Sequence, residues 1–245
     1  MKFPVLLPKI FNYPFTYESD LKLKVGDYVI VSFGKSKVTG VVWNEFEKKN
    51  DKKFKVKNVI KKLDISPLKI TTIKFLNWFS EYNLIPKGMA LKLVLLGSNA
   101  VEKFKESTYK VFENNIKTNS IKLSKEQKKS LNKMNTSNQK FRVHVLQGTT
   151  GSGKTMVYFE ALKNIIKNDF QGLILLPEIG LTGQFKKKFL EFFGFTPAVW
   201  HSGIAKKKKE IIWSGIASGK IKVVIGARSS LFLPFKKLGL IIVDE

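Results

Sequence analysis

One glycine-rich stretch restricts the possible folds of this chain more than any other part of its sequence. Residues 148–155 read Gly-Thr-Thr-Gly-Ser-Gly-Lys-Thr, which has the G-x-x-x-x-G-K-T spacing of a phosphate-binding loop. A β-prone run, residues 141–147, precedes the loop, and apolar residues at helical spacing follow it. A strand, a glycine loop and a helix in this order predict a nucleoside triphosphate site in a parallel α/β sheet. The alternative is a glycine-rich turn that only joins a strand to a helix.

The residue types of this loop each have a physical role in binding phosphate. Glycines let the backbone curl so that its N–H groups point at phosphate oxygens, and the positive end of the following helix adds to that field. We expect the Lys154 ammonium to reach the β- and γ-phosphates and the Thr155 hydroxyl to bind Mg²⁺. The candidate ATP-binding residues of the loop are Gly148, Thr149, Thr150, Gly151, Ser152, Gly153, Lys154 and Thr155.

Strands and helices continue to alternate after the loop. Apolar strands alternating with helices indicate a parallel, doubly wound α/β sheet. Helices are predicted at residues 181–193 and 206–216. Strands are predicted at residues 172–176, 198–201, 222–226 and 239–243.

The last of these strands runs into an acidic pair, Asp244 and Glu245. At the carboxyl end of such a strand, this pair is typical of a Walker B motif that faces the Mg²⁺ of the phosphate-binding loop. We expect Asp244 to share Mg²⁺ with Thr155, and Glu245 to orient or deprotonate the attacking water. The predicted catalytic residues are therefore Lys154, Asp244 and Glu245.

The first part of the chain has a different pattern. Short β-rich runs with glycine turns, such as residues 25–35 and 38–43, predict a small barrel. We therefore divide the chain into a mostly β domain with two helices at residues 1–98, a linker at 99–120 and an incomplete α/β lobe at 121–245.

Two helices are predicted to follow the strands of the first domain. The first begins with an N-cap at Ser66 and Pro67 in its first turn, and the second begins at Pro86. We expect the apolar face of the first helix to be core rather than a surface on which bases stack. This face consists of Ile73, Leu76, Trp78 and Phe79.

The net charge of +25 indicates a polyanionic partner. Nearly all basic residues are lysine, since only Arg142 and Arg228 are arginine, so an AT-rich genome explains part of the excess. Acidic residues do not balance the lysines, which favours nucleic acid as the partner. A solvated basic surface without a partner is the alternative.

Composition also restricts the compartment. The absence of cysteine excludes disulfides and thiolate metal sites. No apolar run approaches the length of a membrane span, and Pro4 and Pro8 interrupt an apolar N-terminal segment that is too short for a signal peptide. A cytoplasmic protein is the expectation.

Several sequence blocks, taken in order, resemble the PriA family of primosomal replication-restart DNA helicases of superfamily 2. The phosphate-binding loop, LLPEIGLT at residues 175–182, IGARSSLFLPF at 225–235 and LGLIIVDE at 238–245 are similar to the first RecA-like lobe of that family. LPKIFNY at residues 7–13 and FGK at 33–35 are similar to its domain that captures the 3′ end of the leading strand. The resemblance covers essentially the whole chain.

This resemblance implies further site residues. Phe11, Asn12, Gly34 and Lys57 would line the pocket for the 3′-terminal nucleotide. The family commonly has Asp at the position of Asn12, and here the amide oxygen would accept a hydrogen bond from the terminal hydroxyl. Gln127 would read adenine. Arg228 and the loop at residues 177–182 would lie along single-stranded DNA, unless Arg228 forms an ion pair inside the lobe.

The resemblance also implies a function. Such proteins are ATP-dependent 3′-to-5′ helicases that recognise stalled or abandoned forks and start primosome assembly. Their partners are forked and single-stranded DNA, DNA 3′ ends, primosome proteins and single-strand-binding proteins. The family continues beyond Asp244 and Glu245 with a second lobe that carries catalytic arginines and with a zinc-binding, cysteine-rich region, so zinc is expected only there. The alternative function is a module that binds a 3′ end and nucleotide without catalysis.

Overall fold

The computed structural model describes residues 1–46, 56–96, 99–102, 104, 123–135, 141–177 and 183–244. The chain forms two compact units. The first unit contains Met1–Lys110, Gly203–Lys220 and Leu231–Lys236. The second unit contains Val111–Ser202, Ile221–Ser230 and Lys237–Glu245. Among the described residues, no helix is both long enough and apolar enough to cross a membrane.

A closed five-stranded barrel forms the centre of the first unit, which confirms the predicted small barrel. Its strands are β1 (Lys2–Leu6), β2 (Phe15–Glu18), β3 (Tyr28–Phe33), β4 (Ser36–Val42) and β5 (Lys57–Lys62), in the order β1-β2-β5-β3-β4. Alternate side chains point inward and fill the barrel with apolar groups. These core residues are Val5, Leu7, Tyr17, Val29, Val31, Val42 and Val59.

Four helices complete the described part of the first unit. They are α1 (Ile70–Tyr82), α2 (Lys87–Leu95), α3 (Asn99–Glu102) and, much later in the chain, α7 (Lys206–Ser218). The predicted start of α1 at Ser66 is wrong, because the helix begins at Ile70. The Leu68 N–H donates to the Gly26 carbonyl at 2.9 Å, so this tertiary hydrogen bond keeps the preceding segment out of the helix.

Trp213 anchors α7 within the first unit. Its side chain is fully buried, and its indole N–H donates to the Val94 carbonyl of α2 at 2.7 Å. Its ring packs edge-on against Tyr28 of β3, with ring centroids 6.1 Å apart. A helix that follows the phosphate-binding loop in sequence therefore packs with the barrel and α2.

The second unit contains a parallel sheet, as the sequence predicts. Its strands β6 (Gln171–Leu175), β7 (Ala198–Trp200), β8 (Val223–Gly226) and β9 (Leu238–Val243) lie in the order β7-β8-β6-β9. Its described helices are α4 (Lys125–Asn135), α5 (Lys154–Lys167) and α6 (Gly183–Phe193). A 3-10 turn, Arg228–Phe232, begins in the second unit and ends in the first, which contains Leu231–Lys236. Phe159 of α5 contacts four phenylalanines of α6 and so joins the two helices in one aromatic core.

The strand predicted at residues 141–147 is absent, which corrects the sequence-based expectation. Phe141, Val143 and Val145 are 81%, 77% and 90% exposed and belong to no strand. β9 instead forms this edge of the sheet, opposite β7, and pairs only with β6 among the described strands. β propensity describes fit to a sheet, and a run becomes a strand only where another backbone pairs with it.

Asp169 provides a pH-dependent link in the second unit. It lies between α5 and β6 with φ at +62°, and its carboxylate pairs with Lys222 at 2.6 Å and Lys237 at 2.8 Å. Hydrogen bonds from Lys222 and then Lys237 lower the pKa of Asp169 from 3.8 to about 2. The resulting stability is therefore complete above pH 3.8 and is lost as the pH falls through about 2.

Replacing Asp169 by asparagine is expected to lower the melting temperature by only about 1–3 °C, because solvent screens an exposed ion pair. The decrease should be equal at pH 7 and pH 5. It should shrink below pH 3.8, where the stability that the Asp169 carboxylate contributes begins to fall. Thermal unfolding followed by circular dichroism measures this difference, with the exposed Asp20→Asn as the control. A decrease that grows as the pH falls would contradict the assignment.

Candidate nucleotide site and DNA-end pocket

The phosphate-binding loop curls through left-handed glycines. Gly151 and Gly153 have φ of +82° and +80°, a conformation that costs glycine little and other residues more. α5 begins immediately after Gly153, so the N–H groups of its first turn face the loop. The Lys154 ammonium donates to the carbonyls of Gly148 at 2.6 Å and Thr149 at 3.1 Å, which holds its charge at the loop.

Tyr158 connects the two residues predicted to hold Mg²⁺. Its hydroxyl donates to Oδ2 of Asp244 at 2.6 Å and is also hydrogen-bonded to the Thr155 side chain. Burial, followed by the hydrogen bond to Asp244, raises the pKa of Tyr158, so this hydroxyl stays protonated and remains a donor. Tyr158 is not among the residues that the sequence predicts for this site, although its position three residues after Thr155 puts both on one side of α5.

The oxygens brought together here suit Mg²⁺. This ion prefers octahedral oxygen coordination and is commonly held by one or two carboxylates with phosphate and water. Thr155 offers a hydroxyl and Asp244 a carboxylate. Asp244 directly follows β9, and its backbone N–H donates to the Leu175 carbonyl of β6 at 3.1 Å. In the described ranges, no three His, Asp or Glu side chains form a metal-binding group. Glu245, the predicted residue for the attacking water, lies outside the described residues.

Gln127 contacts the phosphate-binding loop directly. Its Nε2 donates to the Ser152 carbonyl at 3.0 Å, while its Oε1 accepts from the Ser124 N–H at 2.9 Å. The Ser124 hydroxyl accepts from the Gln127 N–H at 3.2 Å, which completes the capping box of α4. A Cβ at Gly153 would lie 2.4 Å from Nε2, so a larger residue would displace the Gln127 amide, and φ of +80° also favours glycine at this position. Both polar atoms of the Gln127 amide are therefore already used within the chain.

Three of the four predicted residues of the DNA-end pocket lie close together. Phe11 packs edge-on against Phe33 with ring centroids 5.6 Å apart, and Gly34 follows Phe33 in the turn between β3 and β4. Gly34 has φ of +60° and open space where a Cβ would be. The Lys57 ammonium lies 3.4 Å from the Gly34 carbonyl. Gly34 and Lys57 also line a cleft of about 620 Å³.

Asn12 lies beside Phe11, and its side chain makes a hydrogen bond within the chain. Its Oδ1 accepts a hydrogen bond from the Lys87 N–H of α2 at 3.2 Å. The Gly88 N–H donates to the Phe11 carbonyl at 3.0 Å, so two N–H groups of the first turn of α2 bind this segment. One of the two lone pairs of the amide oxygen expected to accept from a terminal hydroxyl is therefore already used within the chain. The Nδ2 group of Asn12 is a donor that a ligand can also use.

Arg228 is exposed at the start of the 3-10 turn. Within the described part of the chain, no carboxylate forms a salt bridge with it, so the alternative of an ion pair inside the lobe has no support there. Residues 178–182, the remainder of the loop predicted to follow single-stranded DNA with Arg228, lie outside the described residues.

Comparison with family models divides the chain into two matches. Residues 4–96 match the model described as the PriA 3′ DNA-binding domain. Residues 120–245 match the model described as the type III restriction enzyme, res subunit. The first match contains the residues predicted to form the DNA-end pocket, and the second contains the phosphate-binding loop and Asp244.

Curated relatives include several proteins named replication restart protein PriA. The Rickettsia conorii protein is 40% identical over 243 residues, which cover 98% of this chain and 36% of that protein. The Haemophilus influenzae protein is 27% identical over 316 residues, covering 98% of this chain and 43% of that protein. The Bacillus subtilis protein is 40% identical over 104 residues, or 42% of this chain and 13% of that protein. The chain thus spans little more than a third of the length of the Rickettsia relative.

Proposed function

Because this chain belongs to the PriA family of replication restart proteins, we propose that it serves ATP-dependent restart of DNA replication at forks. The reaction is 3′-to-5′ unwinding of DNA driven by ATP hydrolysis, with stalled or abandoned forks as substrates. The observation that carries this proposal is the presence, on one chain, of a matched 3′ DNA-binding domain and of a phosphate-binding loop close to the oxygens proposed to bind Mg²⁺.

The second unit supplies the residues for ATP. N–H groups of residues 148–155 bind phosphate oxygens, and the Lys154 ammonium neutralises charge on the transferred phosphoryl group. Thr155 and Asp244 would hold Mg²⁺, which supplies further charge neutralisation when bound. Tyr158 positions Asp244 through its 2.6 Å hydrogen bond, and Glu245 orients the attacking water.

The first unit supplies the residues for a DNA 3′ end. Phe11 stacks on the terminal base, Gly34 allows close approach of the sugar-phosphate backbone, and Lys57 contacts a phosphate. Asn12 donates to the terminal 3′ group through Nδ2. Arg228 is proposed to contact single-stranded DNA. Gln127 is proposed to contact the adenine of ATP after its amide group releases Ser124 or Ser152.

The same proposal includes the surroundings of the protein. A cytoplasmic location, with primosome and single-strand-binding proteins as partners, suits replication restart. The proposal also includes a functional division of the chain. It consists of a DNA-end domain at residues 1–98, a linker at 99–120 and an ATPase lobe at 121–245. Zinc is proposed to bind only in the family's cysteine-rich region. The two family-model matches, at residues 4–96 and 120–245, are compatible with this division.

Binding to synthetic forks tests the DNA part of this proposal. A fork whose leading strand ends at the junction should bind more tightly than one that lacks this strand, as measured by fluorescence anisotropy. The native chain should discriminate little between a 3′-hydroxyl and a 3′-phosphate, because the free Nδ2 of Asn12 can donate to either. Equal affinity for forks with and without the 3′ end would overturn the proposal.

Substituting Asp for Asn12 gives the sharper comparison. A carboxylate can still accept the Lys87 N–H, but its second oxygen accepts from a hydroxyl and repels a phosphate. We expect Asn12→Asp to favour the 3′-hydroxyl fork over the 3′-phosphate fork by about fivefold to tenfold, the equivalent of about 1 kcal/mol or slightly more. An unchanged ratio would place Asn12 outside the pocket. Asn44→Asp, on an exposed residue of the same unit, controls for the added charge.

A further inference from the structure

An exposed aromatic ladder runs along α1. Phe75, Trp78 and Tyr82 lie at i, i+3 and i+7 on one side of the helix, with near-parallel rings. Ring centroids are 6.0 Å apart between Phe75 and Trp78 and 5.2 Å apart between Trp78 and Tyr82, with interplanar angles of 29° and 22°. Trp78 is 54% exposed and Tyr82 is 73% exposed. The expectation that Trp78 belongs to the core is therefore wrong.

The ladder is anchored at one end and open at the other. Phe75 packs against Phe232 with ring centroids 5.4 Å apart, and Phe79 packs against the same ring at 4.8 Å. Ile73 and Leu76, on the opposite side of α1, are fully buried and hold the helix on its unit. The packing of Phe75 gives the Trp78 and Tyr82 rings a rigid base, and both of these side chains are more than half exposed.

Single-stranded DNA is the occupant that this surface suits best. Every base has a π-face, and proteins that bind single strands place successive bases on exposed aromatic rings. α1 lies wholly within residues 4–96, which match a 3′ DNA-binding domain. Lys74 lies one turn before Trp78 on the same side of the helix and can contact a phosphate, in a chain with a net charge of +25.

The position of the ladder relates it to the DNA-end pocket. Tyr82 ends α1, and Lys87, which donates to Asn12, begins α2. Five residues of extended chain span at most about 18 Å. About five stacked nucleotides, at 3.4 Å each, cover the same distance. We propose that Trp78 and Tyr82 form a stacking platform for bases that lie 5′ to a terminal nucleotide held at Phe11.

This inference rests on the proposed binding of a DNA 3′ end, and the fluorescence of Trp78 allows the two to be tested separately. The chain has four tryptophans, of which Trp43, Trp200 and Trp213 are 1%, 4% and 0% exposed. Trp78 is therefore the tryptophan that a bound base or an aqueous quencher can reach. The probes are oligothymidylates of 4 and 12 nucleotides with free 3′-hydroxyls, titrated into the full chain.

The 12-mer should quench tryptophan emission and protect it from acrylamide, whereas the 4-mer should bind without reaching Trp78. Trp78→Ala and Tyr82→Ala should each weaken binding of the 12-mer by about tenfold, the low to middle part of the range for loss of one stacked base. Neither change should alter binding of the 4-mer. Trp78→Phe should retain most of the affinity, and Phe141→Ala, which removes an exposed ring of the other unit, should change nothing.

Two results would overturn the inference, and they differ in what else they reject. If the 4-mer and 12-mer bind equally tightly and Trp78→Ala leaves both unchanged, the platform is wrong while 3′-end binding stands. If neither oligonucleotide binds to the wild-type chain, both the platform and the proposed DNA-end pocket are wrong. Trp78 and Tyr82 are exposed, so their substitution should leave the circular dichroism spectrum unchanged, and loss of binding is then attributable to the lost ring.

Discussion

Lys154→Ala is expected to weaken binding of Mg²⁺-ATP by more than about 100-fold. Hydrogen bonds from a charged group are worth about 1.5–3 kcal/mol each, and Lys154 is proposed to reach two phosphates, so a loss of about 3 kcal/mol or more is expected. The fold should be unaffected, because among the described residues the partners of this ammonium are carbonyls of the exposed loop, those of Gly148 and Thr149. Isothermal titration calorimetry with a non-hydrolysable ATP analogue measures the change.

Lys167 offers a matched control on the same helix. It lies in the last turn of α5, while Lys154 is the first residue, so Lys167→Ala removes the same charge from the far end. This control should leave affinity for the nucleotide within about twofold, because its charge is separated from the loop by the length of the helix and is screened by solvent. Comparable losses in the two variants would mean that overall charge, rather than the loop geometry, binds the nucleotide.

Trp213→Ala is expected to lower the free energy of unfolding of the first unit by about 3–5 kcal/mol. The change removes a fully buried indole, its contact with Tyr28 and the 2.7 Å hydrogen bond that satisfies the Val94 carbonyl. For a chain of this size, the loss corresponds to a decrease in melting temperature of about 6–20 °C. Chemical and thermal denaturation followed by near-ultraviolet circular dichroism measure it.

Two further variants separate the contributions of Trp213. Trp213→Phe keeps an aromatic ring but removes the N–H donor, so it should cost about 1–3 kcal/mol, the penalty for a buried carbonyl without a partner. Trp78→Ala removes the same side chain from an exposed position, and it should change stability by no more than about 0.5 kcal/mol. A small effect of Trp213→Ala would mean that α7 contributes little to the stability of the first unit.

The sequence by itself determined the features that depend on short segments. The spacing of residues 148–155 predicts the phosphate-binding loop, and the structure places Gly151 and Gly153 in the left-handed conformation that this loop requires. The boundaries of α6, α7, β6 and β8 were predicted to within about two residues, because apolar periodicity and flanking glycines are local signals. The motif blocks also indicated the family, which the matches at residues 4–96 and 120–245 and the PriA relatives confirm.

Only the tertiary structure decided which groups meet across the sequence. Tyr158 and Asp244 are 86 residues apart, so no local pattern shows that the hydroxyl of one holds the carboxylate of the other. The oxygen of Asn12 accepts from the Lys87 N–H, 75 residues away, so the group predicted to accept from DNA already accepts a hydrogen bond within the chain. Hydrogen-bonding direction depends on the partner, and the partner is chosen by the fold.

The same reason explains the wrong predictions. Residues 141–147 have strong β propensity, but a strand needs a neighbouring backbone, and propensity cannot specify one. Helical periodicity correctly placed Ile73 and Leu76 on the buried side of α1, yet it could not show that Trp78 would remain uncovered. Periodicity identifies which residues share a face of a helix, whereas the packing of distant segments determines whether that face meets protein or solvent.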